Sequence, residues 1–573
     1  MSALLRNARF RIMGLLALLL QFGGASGLAA QGLPPARVQE KVQLLQTRCG
    51  ERLSAATRQS IAETATIDVH SHTFNLGFLP LEEILYRYRL PEDVARPIAA
   101  LLLRLTDKTP LAGPPRDDIA DPMESFVGRL TPADLAELAR QERALEKAAA
   151  RDSSPAEVGF TEALEEAAQN DPALARLSPD DRRRVTLLLQ VVDRAGRGED
   201  SSESRREIAE MKLTEASPEA IAGRARGFLR MAALLTLRED RVVKKLEADF
   251  PVVDLFVHHM MDLDNVYHGA SSFDLDERLR RVQQLGAIAG DRIRFSVAYD
   301  PFRRQGALEH VKAGIAAGAV AIKFYPPSGY RPSASPLPWK PTSGSSHFPW
   351  VYLPVSARSH QKAQWDWRYA PGIDVVRKRI DDLVALSLEK DVPIFSHHTP
   401  QGFAAMGEEG KARLNYGKLM ADPIFWEPVL RLHPRLRLVL AHSGGGDSWF
   451  GGQAWEGSFD QHAYQLCVSY PNVYCDFGMS SEVLTSRGRS AFRRKLEELG
   501  ALCSGAQCGQ PGRPKYDIRD KLLYGSDWHM VSQIKRYQDL VCGFGEVLSG
   551  GALEGWAPAF FGDNARRAMR LQH

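Results

Sequence analysis

Residues 64–75 read TATIDVHSHTFN, a short apolar and β-branched run that ends in an aspartate and two histidines. On a β-strand, residues i, i+2 and i+4 point to the same side. We therefore expect Asp68, His70 and His72 to share one face at the carboxyl end of a strand. Neutral imidazole is a common metal ligand, but a lone His-x-His pair also occurs on solvated strand ends. The rest of the chain has to decide between these two interpretations.

Seven further apolar runs follow from about residue 250, and helical patterns separate them. They read PVVDLFVHHMM, DRIRFSVAYDP, AVAIKFYPP, DVPIFSHHTP, LRLVLAHSGGG, PNVYCDFGMS and DKLLYGSDWH. Together with the first run they make eight strands that alternate with helices. This pattern predicts the fold class α/β and a (β/α)8 TIM barrel, which carries its chemistry at the carboxyl ends of its strands.

The remaining segments predict how the chain is divided. Residues 31–79 hold a helical lead-in and the first strand. Residues 80–250 have helical spacing and many charges, which predicts a large helical insertion after strand 1. Residues 251–573 hold the rest of the barrel. Within them, residues 329–372 are rich in Pro, Ser, Trp and Tyr, and we expect a second, lid-like insertion after strand 4; solvated padding is the alternative.

The amino terminus has the pattern of a secretory signal peptide over residues 1–30. Three arginines precede an apolar run at 12–20, and small residues follow, with a cleavage site near Ala29 or Ala30. The apolar run is too short to span a bilayer comfortably. We therefore expect a periplasmic or secreted protein without a stable membrane span after removal of the signal. A membrane anchor or a wrongly assigned start is the alternative.

Composition gives little reason to expect a macromolecular ligand. The 573 residues are 44% hydrophobic and 25% charged, which is typical of a globular protein, and the net charge is only +3. We see no P-loop, zinc-ribbon spacing or glycine-rich dinucleotide turn. The expected partner is a small-molecule substrate rather than nucleic acid, and homo-oligomerisation is left open.

Six cysteines suit an oxidising compartment without proving one. Cys503 and Cys508 are close enough in sequence to close a small ring, and Cys467 and Cys475 are a second candidate pair. Sequence alone does not give the connectivity, and buried free thiols are the alternative.

Polar side chains stand at the ends of five of the eight predicted strands. They are Asp68, His70, His72, Lys323, His397, His398, His442 and Asp527. A catalytic zinc ion takes imidazole and carboxylate ligands and keeps one position open for water, whose pKa it lowers. Asp527 can both bind the metal and accept the proton of that water. His442 can polarise a substrate carbonyl or stabilise the charge that develops on it.

The segments TIDVHSH, VPIFSHH, LVLAHSGGG, LLYGSDWH and FFGDNARRAMRL resemble the amidohydrolase superfamily. The resemblance is closest to its amidohydrolase-2 branch, which also contains the aminocarboxymuconate-semialdehyde decarboxylase and related decarboxylases. It covers strand 1 and then about residue 250 to the carboxyl terminus. These motifs are specific for the superfamily but not for a substrate.

Position by position, the resemblance implies a metal site. It makes His70 and His72 ligands from the first strand, His397 the ligand from the fifth and Asp527 the acid from the eighth. His442 becomes the histidine of the sixth strand, with a catalytic role.

Two positions leave alternatives. We prefer His397 to His398 as the ligand because VPIFSH matches the strand ending of the family; His398 would then support a ligand or meet the substrate. In binuclear members a lysine of the fourth strand is carbamylated and bridges two metals, which remains possible for Lys323. We favour one zinc ion, with Lys323 as a catalytic cation that faces the substrate or as part of a salt bridge in the barrel.

The other polar residues near strand ends carry weaker expectations. Asp68 is expected to support the strand end or to orient a ligand rather than to bind the metal. Arg303 has the geometry to bind a substrate carboxylate, but a surface charge is equally compatible with its position. Four aromatic residues are expected to pack or to shape the pocket: His258, His259, Trp528 and His529.

The sequence thus favours an exported metal-dependent hydrolase of the amidohydrolase type that attacks an amide, lactone or ester carbonyl. The alternative is a metal-dependent, non-oxidative decarboxylase of an unsaturated or aromatic acid. A barrel that binds metal without turnover is the third interpretation, which the complete ligand set disfavours. Export favours the hydrolase, because decarboxylases of this resemblance serve intracellular catabolism.

Overall fold

Eight parallel strands form a nearly closed barrel and pair in the order of the sequence. The strands are β1 Ile67–Ser71, β2 Leu255–His259, β3 Ile293–Tyr299, β4 Ala321–Phe324, β5 Ile394–His397, β6 Leu438–Ala441, β7 Val473–Asp476 and β8 Leu522–Leu523. Two hydrogen bonds join β1 to the chain that follows β8. The Val69 N–H donates to the Tyr524 carbonyl at 3.0 Å, and the Asp527 N–H donates to the His70 carbonyl at 2.7 Å. The predicted TIM barrel is confirmed.

The structure is a computed structural model, and it describes residues 33–87, 92–111, 121–149, 172–186, 227, 230–267, 269–303, 305–333, 373–400, 407–409, 412–414, 419–569 and 571. The predicted signal peptide lies outside these residues. Only residues 329–333 of the predicted lid-like insertion lie within them. Both assignments therefore stay predictions.

The strands are short apolar runs that are buried on both faces, as expected of a parallel sheet covered by helices. Residues from several strands, among them Val69, Phe395 and Val439, form one hydrophobic cluster. The last helix of the chain closes this cluster with Ala565 and Ala568. The same runs end in polar residues, so chain direction places those residues at a common rim.

Helices occupy the described parts of the lead-in and of the predicted first insertion. The lead-in contains Pro35–Cys49 and Ala55–Glu63. Between β1 and β2 lie Leu81–Arg87, Glu92–Leu105, Pro122–Val127, Pro132–Ala149 and Glu239–Asp249. The described residues between 80 and 250 include no strand, in agreement with the helical pattern of the sequence.

The helices of the barrel connect successive strands. They are Asp264–Tyr267, Leu275–Ile288, Ala307–Ala316, Ile373–Lys390, Glu427–Leu432, Phe459–Ser469 and Ser486–Ala501, and Trp528–Val531, Leu540–Val547 and Asn564–Met569 follow β8. A short antiparallel hairpin, Gly407–Glu409 with Ala412–Leu414, lies between β5 and β6 and was not predicted. Among the described residues, no helix combines the length and apolar character needed to cross a membrane.

Side-chain caps fix where several of these helices begin. The Ser54 hydroxyl accepts the Thr57 N–H at 3.0 Å, and the Asp274 carboxylate accepts the Glu277 N–H at 2.7 Å. Such caps satisfy backbone donors that the first turn of a helix leaves open.

All six cysteines are paired. Cys467–Cys475 and Cys503–Cys508 are the two candidate pairs from the sequence, and Cys49–Cys542 is the third. The free-thiol alternative is therefore wrong. The third bridge links the lead-in helix Pro35–Cys49 to the helix Leu540–Val547, a long-range pairing that the sequence did not reveal.

Candidate metal centre

His70 is held in a fixed orientation by a carboxylate from a strand two positions away in the barrel. Its Nδ1 lies 3.3 Å from each carboxylate oxygen of Asp476, the last residue of β7. Since a carboxylate only accepts, the proton of a neutral His70 is on Nδ1. No described residue hydrogen-bonds to Nε2 of His70, which therefore remains open as a ligand atom. Carboxylate–histidine pairs of this kind orient metal ligands.

His72 has the same arrangement with a backbone partner. Its Nδ1 donates to the carbonyl of His259 at 2.9 Å, which again leaves Nε2 as the open nitrogen. That Nε2 lies 3.8 Å from Oδ1 of Asp527. Both imidazoles of the His-x-His segment are thus buried, with one nitrogen used by the protein and the other available.

Asp68, the third residue of the predicted face, supports the strand end. It accepts the His70 N–H at 3.0 Å and the Ser526 N–H at 2.9 Å, and the Ser526 hydroxyl also donates to it. These contacts tie β1 to the loop that carries Asp527. The Asp68 carboxylate thus supports the strand end through these hydrogen bonds, as expected from the sequence.

His397 and His442 form a relay that ends on a backbone carbonyl. His442 Nδ1 donates to the Gly478 carbonyl at 3.1 Å, so its Nε2 is an acceptor. His397 Nδ1 lies 3.3 Å from that Nε2 and donates to it. The relay leaves Nε2 of His397 as a buried nitrogen without a hydrogen-bond partner among the described residues.

His398 uses both of its ring nitrogens. Its Nδ1 donates to the Ala421 carbonyl at 2.6 Å, and its Nε2 accepts the indole N–H of Trp426 at 3.2 Å. This leaves His397 as the histidine of the pair with a nitrogen to offer.

Asp527 lies beside His72 and His529 and has an unusual backbone conformation. Its φ is 48°, in the left-handed region, where non-glycine residues are uncommon and strain is often stored at functional sites. Its Oδ1 is buried and has no hydrogen-bond partner among the described residues. Burial raises the pKa of Asp527 to about 7, which the nearby Lys323 ammonium partly offsets.

His442 and Ser443 also have positive φ values, 61° and 51°. The glycines of SGGG follow directly, and Gly444 has a φ of 97°. A Cβ on Gly444 would overlap the backbone of Phe459 and Asp460 at the start of the next helix. The turn after β6 is therefore packed tightly enough to hold His442 in its strained position.

Among the described residues, ligand-type atoms that lie close together form two overlapping groups, and His397 belongs to neither. One combines His70, His442 and Asp527, and the other combines His72, Asp527 and His529; within each group, ligand atoms lie within 4.8 Å of one another. Imidazole nitrogens and a carboxylate are the donors that zinc prefers. Because these donors include buried atoms without partners, the residues present fit a divalent metal ion.

Electrostatics favour the neutral imidazoles that a metal needs. Burial, together with the charge of Lys323, holds the pKa of His70, His72 and His397 well below the ordinary histidine value. Neutral histidines keep a lone pair for a metal near neutral pH.

Lys323 faces this group from β4. It is buried, and its Nζ has no hydrogen-bond partner among the described residues. The Nζ lies 4.7 Å from the centre of the Phe395 ring. Burial lowers the pKa of Lys323 to about 8, while Asp476 and Asp527 oppose this shift. The salt bridge suggested by the sequence is not found among the described residues.

Asp476 was missed by the sequence analysis, although the signal was present. It ends the seventh apolar run, in VYCDFG, at the same rim as the other strand-end polar residues.

The structure also shows what His259 and Arg303 contact. His259 is fully hydrogen-bonded to Ser296 and Val69, and Arg303 makes a two-point ion pair with Asp262 at 2.8 and 2.9 Å, which occupies its guanidinium.

Comparison with known proteins adds one family match. A model of the family described as amidohydrolase matches residues 240–571, more than half of the chain. A search of curated proteins gives no match.

Solved structures are similar at low identity. An amidohydrolase from Burkholderia multivorans with bound zinc is 13% identical over 60% of this chain and 92% of that one, with a TM-score of 0.34. 5-Carboxyvanillate decarboxylase from Novosphingobium aromaticivorans, with bound manganese, is 12% identical over 68% and 93%, with a TM-score of 0.32. A 2,6-dihydroxybenzoate decarboxylase is 11% identical over 58% and 87%, with a TM-score of 0.30. The family assignment rests on the family match alone.

Proposed function

This chain belongs to the amidohydrolase family, and we propose that it is an exported, metal-dependent hydrolase of an amide, lactone or ester. The observation that carries the proposal is the common arrangement of three histidines. His70, His72 and His397 each use Nδ1 within the protein and keep Nε2 open. Asp527 adds a buried oxygen without a described partner.

We propose that these four residues hold one zinc ion. The residues that orient them are built into the fold: Asp476 for His70, the His259 carbonyl for His72, and His442 for His397. When bound, zinc polarises a carbonyl and makes water acidic enough to ionise near neutral pH.

The chain's own residues then handle the proton. Asp527 accepts a proton from the attacking water through its carboxylate, whose Oδ1 has no hydrogen-bond partner among the described residues. Asp527 then returns that proton to the leaving group on which negative charge develops, while His442, whose Nε2 accepts the His397 N–H, keeps His397 oriented. Lys323 supplies a positive charge that stabilises the same region.

A decarboxylase is the second candidate, and Lys323 is the observation that favours it. A buried ammonium without an acceptor among the described residues is suited to hold a substrate carboxylate. In that reaction, proton delivery to carbon would replace attack by water.

Export is supported by the disulfides. Three bridges that use all six cysteines are typical of proteins that mature in an oxidising compartment. This agrees with the signal peptide proposed for residues 1–30 and favours a periplasmic or secreted enzyme.

The proposal is tested by assaying the mature protein, loaded with zinc, on a panel of amides, esters and lactones and on aromatic and unsaturated acids. We expect hydrolysis of at least one carbonyl substrate, loss of activity with a chelator and recovery with zinc. Release of carbon dioxide from an acid would support the decarboxylase instead. A fully loaded protein that turns over neither class would contradict both candidates.

A further inference from the structure

We propose that His529 is an additional metal ligand in this chain, binding through Nδ1 beside His72 and Asp527. The inference rests on the proposed metal site and extends its ligand set. His529 lies two residues beyond Asp527, outside the set implied by the family resemblance.

The backbone brings His529 onto the site. Asp527 adopts the left-handed conformation at φ 48° and immediately precedes the short helix Trp528–Val531. This turn places Nδ1 of His529 3.4 Å from Oδ1 of Asp527. The two atoms do not form a hydrogen bond, although each is buried, and each lacks a hydrogen-bond partner among the described residues.

His72 completes the arrangement. Its Nδ1 is used by the His259 carbonyl, so only Nε2 is open, and this atom lies 3.8 Å from the same Asp527 oxygen. The His72 and His529 rings are 4.8 Å apart in an edge-to-face arrangement. Two imidazole nitrogens and one carboxylate oxygen therefore converge within 4.8 Å of one another.

A packing role does not account for this geometry. Phe74 packs beside His529 with ring centres 5.5 Å apart, and an apolar side chain would serve that contact equally well. It would not leave a buried ring nitrogen beside an unpartnered carboxylate oxygen, which is costly unless a further group satisfies both. Imidazole and carboxylate together select a transition-metal ion such as zinc.

The test measures zinc affinity of the full metal-free protein, by competition with a chelator, in wild type, His529→Asn and His529→Phe. His433→Asn, a change at an exposed histidine outside the site, is the matched control. We expect the zinc dissociation constant to rise at least about 100-fold in both His529 variants, beyond the 10- to 100-fold typical of residues that only orient a ligand. The control should bind zinc as wild type does.

Two further measurements separate a ligand from a structural residue. Thermal unfolding of the metal-free proteins should give similar midpoints for wild type and His529→Asn. X-ray absorption of the zinc-loaded wild type should count four imidazole ligands rather than three, and this needs no variant to fold.

The outcomes distinguish this inference from the proposed function. Unchanged zinc affinity in the His529 variants, or three imidazoles in the wild-type spectrum, would overturn the role of His529 and leave the metal site intact. Absence of zinc binding in folded wild type would overturn both.

Discussion

The carboxylate of Asp476 determines which nitrogen of His70 faces the candidate metal centre. Asp476→Asn removes the charge that fixes the Nδ1 proton, at nearly unchanged volume. We expect the zinc dissociation constant to rise about 10-fold, at the lower end for a residue that orients a ligand. Competition with a chelator measures this.

The matched control uses a second buried aspartate–histidine pair outside the centre. Asp422 lies 2.8 Å from Nδ1 of His462, and both residues are buried. Asp422→Asn should leave zinc affinity unchanged. Equal losses in the two variants would mean that Asp476 acts on the fold rather than on His70.

Lys521 predicts a pH dependence that is separate from the site. It is 3% exposed and donates to the carbonyls of Tyr470 and Pro471. Burial lowers its pKa in the folded protein from 10.5 to about 8, so the folded state binds this proton less tightly than the unfolded state does. The charged form therefore costs stability below pH 8, and this cost disappears as the pH rises towards 10.5.

Urea unfolding at pH 7.5 and pH 9.5 tests whether the contribution of Lys521 to stability becomes more favourable as the pH rises. The unfolding free energy of wild type minus that of Lys521→Met should increase with pH, by about 3 kcal/mol at most over the full range. The exposed Lys378→Met should show no such trend. A difference that shrinks as the pH rises would contradict the assignment.

Among the elements, the glycine turn after β6 controls the position of His442. Gly444→Ala adds a Cβ that overlaps the backbone of Phe459 and Asp460, at a φ that already disfavours alanine. Gly457→Ala is the matched control, because its φ is also positive, at 73°, but no described atom lies within 4 Å of the added carbon.

We expect Gly444→Ala to cost at least about 3 kcal/mol of unfolding free energy, against about 1 kcal/mol for the control, where only backbone strain acts. Chemical denaturation measures both values. Equal costs would show that the turn has room to move and does not hold His442.

The lead-in helix is predicted to depend on its disulfide. Cys49–Cys542 joins residues 493 positions apart, whereas Cys503–Cys508 closes a ring with a separation of 5. Since cross-links that close longer loops restrict the unfolded chain more, replacing Cys49 and Cys542 by serine should cost about 2–4 kcal/mol. Replacing Cys503 and Cys508 should cost less. Thermal unfolding of the two double variants tests this prediction. A larger loss of stability in the Cys503 and Cys508 variant than in the Cys49 and Cys542 variant would contradict it.

At the scale of the whole molecule, the barrel was predictable because its strands are short apolar runs that end in polar residues. The alternation of apolar runs and helical patterns therefore predicted the order of the strands. It also predicted that His70, His72, His442 and Asp527 lie at one rim of the barrel. Chain direction alone brings these residues together once the barrel closes.

The contacts between distant parts of the chain, which decide the ring nitrogen that each histidine keeps open and the cysteine that each cysteine pairs with, were not predictable in the same way. Asp476 acts on His70 across 406 positions of sequence, and Cys49 pairs with Cys542 across 493. Neither partner stands out locally, because the pairing depends on packing between distant elements. The choice between His397 and His398 likewise depends on Trp426 and the Ala421 carbonyl, which only the folded chain places beside His398.

The central claim is that this barrel holds one catalytic metal ion, and the most direct test is the metal content per chain. Elemental analysis of folded wild type and Lys323→Ala, purified in parallel, should give about one zinc per chain in both. Two ions in wild type that fall in the variant would contradict the single-ion site and indicate a bridging lysine. A folded wild type that contains no metal and takes up none would contradict the claim itself.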